Sequence, residues 1–287
     1  METARSAVSR DGAGTAGSGI WPGCAQLVGL AGAAYLNGPI PFFGARLRSA
    51  REPMFNVPPV VVATLGAVAL VHALRSLVLT PRGEVEFLLL FAFIPARYDS
   101  VLLQGMVPGG WGAEIWTFIT YAFIHGDLTH LGVNAVWLLA FGSAVARRFG
   151  PLRFLAFSAV TAAAGAAAHL FTHAGDFFPM VGASAAISGY MAAAMRFVFQ
   201  AGGPLAALRA DRTRLDRAPA VPLTAALRDR RVLAFLGVWF GLNLVFGLGS
   251  LSLGNGEQGV AWQAHIGGFL AGLLLFAIFD PAAHAAA

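Results

Sequence analysis

Four polar side chains stand in otherwise apolar surroundings: Ser184 in "VGASAAISGYMAAA", His265 in "VAWQAHIGGFLAGLLLF", and His130 with Asn134 in "THLGVNAVWLL". A hydroxyl is a poor nucleophile until a base takes its proton, and neutral imidazole does so near neutral pH. The oxyanion that develops then needs donors. Ser184 opens an apolar run, so a helix starting there offers free first-turn N–H groups and its positive dipole end. His130 and Asn134 are spaced i,i+4, share one helix face and add two side-chain donors. Losing one oxyanion donor typically costs about 10²–10³ in rate.

Each of these residues also has a plainer reading. Serine in a membrane helix bonds back to the i−4 carbonyl, and Ser188 is the natural case. His265, or the His130/Asn134 pair, serves equally well as polar glue between helices. Their common depth favours a site over separate structural roles. If Ser184 Oγ is to reach His265, their helices must approach closely. Gly189 on one and Gly267, Gly268 and Gly272 on the other supply small faces for this, with Gly182 preceding the serine.

The elements that must position these groups are membrane helices. The 287 residues are 57% hydrophobic and only 11% charged, with mean hydropathy +0.69, against about 25% charge in soluble domains. Period-two segments of the outer-membrane barrel kind are missing from the sequence. The fold class is therefore all-α membrane protein. "VPPVVVATLGAVALVHALRSLVL" (57–79) is the first span, with Arg75 near enough to its end to snorkel. "FLLLFAFIPARY" (87–98) is too short to cross and reads as interfacial or re-entrant. The stretch 111–130 is rich in aromatics, and Trp111, Trp116 and Tyr121 suit the interfacial belt. Further spans are expected over roughly 130–147, 152–172, 182–200, 231–249 and 261–279, for six in all.

The net charge of +5 does not point to nucleic acid, because the basic residues lie between apolar runs and act as orientation signals. Arg46, Arg48 and Arg51 precede the first span, Arg147, Arg148 and Arg153 follow the second, and Arg196 leads into an arginine-rich loop at 208–231. The loops at 173–181 and 250–260 carry no Lys or Arg. Both termini are thus expected in the cytoplasm, in accord with an even number of spans. Residues 1–53 read as a flexible cytoplasmic leader rather than a cleaved signal, with Met54 as an alternative start. Residues 54–280 form the membrane domain and 281–287 a short tail. The single Cys24 excludes an internal disulfide.

The remaining histidines carry weaker signals. His125 and Asp127, in "FIHGDLTH", are expected to pin an irregular loop. His169 and His173 have metal-compatible spacing without an evident third ligand, so no metal is expected. His72 and His284 look incidental. The arginine-rich loop is a topology signal, with anionic-lipid contact a lesser reading.

From about Trp116 to Asp280 the chain resembles the rhomboid intramembrane serine proteases. "HGDLTHLGVN" is similar to the family's H-x₄-H-x₃-N element, "GASAA" to its G-x-S-G nucleophile motif, and "AHIGGFLAG" to its A-H-x-x-G-x-x-x-G element. The resemblance implies a six-helix rhomboid-like bundle with a partly embedded first loop over 80–128. It implies Ser184 as nucleophile and His265 as base in a dyad without a third acid. The oxyanion hole would come from His130, Asn134 and the Ser184 N–H, with no cofactor. It implies membrane-anchored protein substrates cut in or beside a transmembrane segment, and a lateral gate at the fifth span with Trp239, Phe240 and Asn243. Three positions depart from the pattern. Ala185 replaces the usual glycine, adding a methyl beside the oxyanion hole. Ser188 occupies the place where some members stack an aromatic ring on the histidine, and Trp116-Thr117 stands where many have Trp-Arg.

The expected function is therefore an intramembrane serine endopeptidase in a bacterial inner membrane, with transmembrane proteins and the lipid bilayer as partners and no nucleic acid. The alternative is a catalytically silent rhomboid-like protein that binds transmembrane segments. A transporter or channel would call for broken helices or charged midplane residues. Metallo- and aspartyl chemistries lack H-E-x-x-H and paired intramembrane aspartates.

Overall fold

The structure, a computed structural model, describes residues 57–99, 108–199, 219–252 and 260–284. The leader over 1–53 with Cys24, Arg46, Arg48 and Arg51, the alternative start Met54, most of the loops at 208–231 and 250–260, and the last three residues lie outside them.

Proline and short polar caps set the helix starts. Pro58 precedes helix α1 (Pro59–Val78), and proline suits a first turn because its missing N–H has no intrahelical partner there. Helix α2 (Pro81–Phe91) starts on Pro81, with Thr80 Oγ1 accepting from the Gly83 N–H at 3.2 Å. After α3 (Gly110–Thr120), Asp127 caps α4 (Leu128–Phe149), which contains a π-helical turn at Leu138–Gly142. Gly150, at φ +77°, turns the chain into α5 (Pro151–Thr172). Then follow α6 (Ser184–Ala194), α7 (Arg230–Ser252) and α8 (Trp262–Phe279).

Among the described residues α1, α4, α5 and α8 are each long and apolar enough to cross a bilayer. The chain is an integral membrane helical bundle. The continuous span expected over 182–200 is corrected. Helix α6 has only eleven residues, about 16 Å at 1.5 Å per residue against a hydrocarbon core of about 30 Å. The chain continues past Ala194 in turns. It needs no lipid-matching length because protein encloses it: every residue from Ala185 to Ala194 is buried. The expected interfacial piece at 87–98 is also redrawn. Its helix starts earlier, at Pro81, and gives way to an isolated antiparallel bridge between Phe93 and Met180 and a 3₁₀ turn at Pro95–Tyr98.

Helices α5, α6 and α8 form the core at backbone contact. A Cβ on Gly268 would fall 2.0 Å from the Ala185 carbonyl oxygen, and one on Gly272 2.5 Å from that of Gly189. These two glycines are the α8 face that meets α6. Gly189 meets Gly272 through its backbone, its Cα 2.6 Å from where a Gly272 Cβ would fall, whereas Gly267 does not join that pair as expected. A Cβ on Gly189 would strike the Thr161 side chain at 2.5 Å, and one on Gly267 the Ala168 methyl at 2.5 Å, so both open toward α5. Gly165 of α5 is the counterpart: a Cβ there would lie 2.5 Å from the Ala185 methyl and 2.8 Å from the Ala264 oxygen. Lipid tails are as apolar as leucine, so such close packing, rather than hydrophobic burial, is what holds membrane helices together.

Two arginines depart from their expected roles. Arg75 does not snorkel. It is buried, paired with Glu84, and donates to the His125 carbonyl at 2.8 Å. Arg148, expected as an orientation signal, grips Asp280 through two bonds, Nε to Oδ1 at 2.9 Å and Nη2 to Oδ2 at 2.8 Å. Its guanidinium lies 4.8 Å from the Phe197 ring centroid. The reason is local: a carboxylate just past the end of α8 and aromatic faces replace the water that an exposed arginine would keep. Removing one partner of a fully buried pair typically costs about 3–5 kcal/mol. Chemical denaturation in detergent micelles should therefore show a loss of that order for Arg148→Met, with less lost when Asp280→Leu accompanies it.

Candidate active site

The chain enters α6 through a loop stitched to the segment before α4. Phe93 and Met180 exchange backbone bonds of 3.1 and 2.8 Å, Asp176 O accepts from the Ala96 N–H at 2.8 Å, and Tyr121 O accepts from the Gly182 N–H at 3.0 Å. Tyr121 is not an interfacial anchor. Its ring is buried and its hydroxyl donates to Ala162 O of α5 at 2.8 Å. Gly182 holds φ +119°, and a Cβ there would lie 2.7 Å from His130 Nε2 and 3.8 Å from Ser184 Oγ. It is thus not a helix-packing glycine, since it precedes α6. It makes room for the His130 ring beside the serine, in a backbone conformation that favours glycine.

Ser184 is the first residue of α6, and Ala183 at the cap has no side chain able to satisfy the first-turn amides. Across the helix pair, 81 residues away in sequence, His265 Nε2 lies 2.7 Å from Ser184 Oγ. Both residues are half-buried, so the pair is neither sealed in the core nor spread on the surface. Ser188 does bond back, donating to Ser184 O at 2.8 Å. The Ala185 methyl packs against Gly165, which takes up the volume of the departure at that position.

Helix α4 delivers the neighbouring donors. Asp127 accepts the His130 N–H at 2.8 Å, a cap that starts the helix where His130 and Asn134 can face inward. That bond holds the Asp127 carboxyl below its usual range. Asn134 is buried and spends one amide hydrogen on His130 O at 2.9 Å, leaving the second. His125 pins the loop as expected. It is fully buried, its ring stands edge-on to His130 with centroids 4.9 Å apart, and its Nε2 lies 3.5 Å from the Ala183 N. His72 is not incidental: it is buried, with Nδ1 3.3 Å from His125 O. His169 and His173 stack at 4.3 Å. Among the described residues no three His, Cys, Asp or Glu side chains gather into a metal site.

Reading the residues alone misses the partner of His265. Asn243 of α7 places Oδ1 2.5 Å from His265 Nδ1, while its Nδ2 donates to Trp239 O at 2.8 Å. The available signal was an amide in the apolar run 231–249, which the family resemblance assigned only to a gate.

The chain matches the family model described as Rhomboid domain over residues 112–281. Among curated proteins none matches.

Burial, reinforced by the nearby His130 and His72, pushes the His125 imidazole down to about 3 from 6.5. A histidine depressed in the fold binds fewer protons than in the unfolded chain. Its contribution is therefore complete above about pH 6.5 and drains as pH falls toward 3. Each pH unit inside that window removes up to roughly 1.4 kcal/mol. Unfolding free energies measured between pH 4 and 6 should fall less steeply for His125→Gln than for the native protein; equal slopes would contradict a neutral buried imidazole.

Proposed function

The chain belongs to the rhomboid family, and from that premise we propose that it is an intramembrane serine endopeptidase acting on transmembrane protein substrates. The observation that carries the proposal is the 2.7 Å approach of His265 Nε2 to Ser184 Oγ, at the start of a helix whose first-turn amides have no side-chain cap. His265 Nε2 takes the hydroxyl proton as Oγ forms a bond to the scissile carbonyl carbon. The resulting oxyanion is received by the Ser184 N–H, the His130 Nε2–H and the second amide hydrogen of Asn134. His265 then gives the proton to the leaving amine nitrogen, and the C–N bond breaks to leave an acyl-enzyme. Water, deprotonated in turn by His265, releases the second product and restores Ser184.

The half-buried setting suits this chemistry. Water must reach the acyl-enzyme, yet low surrounding polarity strengthens each donor toward the oxyanion. We further propose that both termini are cytoplasmic, from the arginine distribution of the sequence, and that the membrane is a bacterial inner membrane, from the alanine-rich, lysine-free composition.

A fluorogenic transmembrane substrate in liposomes tests the reading. Native protein should turn over, and Ser184→Ala and His265→Ala should fall to background. Native protein that binds the segment without cutting it would instead mark a silent relative. Asn134→Ala should keep the fold and slow kcat by about 10²–10³ if its amide serves the oxyanion; unchanged kinetics would remove that role. Reporter fusions after residues 79 and 215 should report opposite sides of the membrane, the second cytoplasmic.

A further inference from the structure

The histidine of a Ser–His pair works as a base only in one tautomer. Nε2, facing Ser184 Oγ at 2.7 Å, must carry the lone pair, and Nδ1 must then carry the proton. Nothing on α8 itself selects that tautomer. The selection comes from α7. Asn243 Nδ2 is committed to Trp239 O at 2.8 Å, one turn back on its own helix, so the amide is fixed in orientation. Its carbonyl oxygen, which can only accept, therefore points at His265 Nδ1 at 2.5 Å. Were the tautomer reversed, two lone pairs would face each other at hydrogen-bond distance.

We propose that Asn243 is the positioning residue of the dyad, fixing His265 as the Nδ1–H tautomer with its ring aimed at Ser184. The inference rests on the protease reading and deepens it. It also answers how the ring is held when position 188 carries a serine, whose hydroxyl is engaged with Ser184 O rather than an aromatic face.

The geometry has a consequence for α7. Leu233, Val238, Phe240, Leu242, Leu244 and Val245 are all exposed along α7, on both flanks of the stripe that carries Trp239 and Asn243. The core grip near Asn243 is the Trp239 ring, stacked on Phe269 of α8 at 4.7 Å. The acceptor that readies the base is thus carried by a different helix from the base itself. A shift of α7 that withdraws Asn243 would leave Ser184 and His265 adjacent but free the imidazole to rotate or change tautomer. Among the described residues, the other titratable side chain facing His265 is His130 of α4.

Two readouts test this, one independent of turnover. In ¹⁵N-histidine-labelled Ser184→Ala protein, the His265 ring should show a protonated Nδ1 and bare Nε2. Adding Asn243→Leu should mix the tautomers, and an unchanged ring signature would overturn the proposal. With the native serine, Asn243→Leu should lower kcat roughly 10–100-fold, as loss of a histidine-orienting partner does elsewhere, with KM little altered; native kcat would overturn it. Asn243→Asp keeps an acceptor and should restore turnover. Its carboxylate favours the imidazolium, so the acid limb of the pH–rate profile should move to higher pH. A limb at the native position would also overturn the proposal, and this variant decides the matter if Asn243→Leu fails to fold. Should the native protein show no turnover at all, the protease reading falls, while the nitrogen signature still tests the Asn243 contact.

Discussion

The 2.7 Å separation of Ser184 Oγ and His265 Nε2 exists because α6 and α8 meet backbone to backbone, and everything chemical about this protein depends on that approach. One methyl group at position 268 would lie 2.0 Å from a carbonyl oxygen, with no flexible side chain able to give way. In hydrocarbon there is no hydrophobic penalty to hold two helices together, so contact must come from surfaces smooth enough to touch. The three-way meeting of α5, α6 and α8 provides such surfaces through Gly165, Gly189, Gly267, Gly268 and Gly272. It also explains how Ala185 is tolerated beside the serine. The extra methyl is matched by a missing one at Gly165, so the change is absorbed by the core.

Around this contact a second set of interactions fixes the loop that leads into α6. His125 is central to it. Its carbonyl receives Arg75 and faces His72, its ring stands against His130, and Arg75 in turn meets Glu84 of α2. A chain of buried polar contacts therefore runs from α1 and α2 to the back of the candidate oxyanion site. Buried polar groups are costly when unpaired, and these contacts satisfy part of the cluster while Arg75 Nε, Glu84 Oε2 and His125 Nδ1 have no hydrogen-bond partner among the described residues. The antiparallel bridge of Phe93 with Met180 completes the same task from the other side of the loop.

The shortness of α6 also has a chemical meaning. A full-length span would put its uncapped N-terminus at the membrane surface, where water satisfies it. An eleven-residue helix enclosed by its neighbours can begin deeper, where free amides and a positive dipole end are worth more. The rhomboid family's link with proteolysis inside membranes is physically reasonable on such a frame. Its reacting groups need partial shelter from water, and its donors gain strength from that shelter.

How much of this was legible in the chain follows from the kind of information each feature carries. Composition is a bulk property, so an integral helical bundle could be read from the long apolar runs alone. Local chemistry was legible too. Asp127 holds its loop through a neighbour three residues away, although the helix start at Pro81 was not expected. Ser184, His265, His130 and Asn134 stood out because a polar group in an apolar run is conspicuous without knowing what it meets. Which surface each residue meets is a different matter, and only the tertiary structure decided it. Gly267 opens toward α5 rather than α6, and Gly189 touches Gly272 by its backbone while its open side faces Thr161 of α5. Arg148 finds a carboxylate 132 positions away, Tyr121 turns inward to α5, and Asn243 reaches the ring of His265 from another helix. Periodicity assigns a residue to a face of its own helix, but the neighbour of that face is set by packing among segments far apart in sequence, at distances where a single methyl group determines whether two backbones can touch.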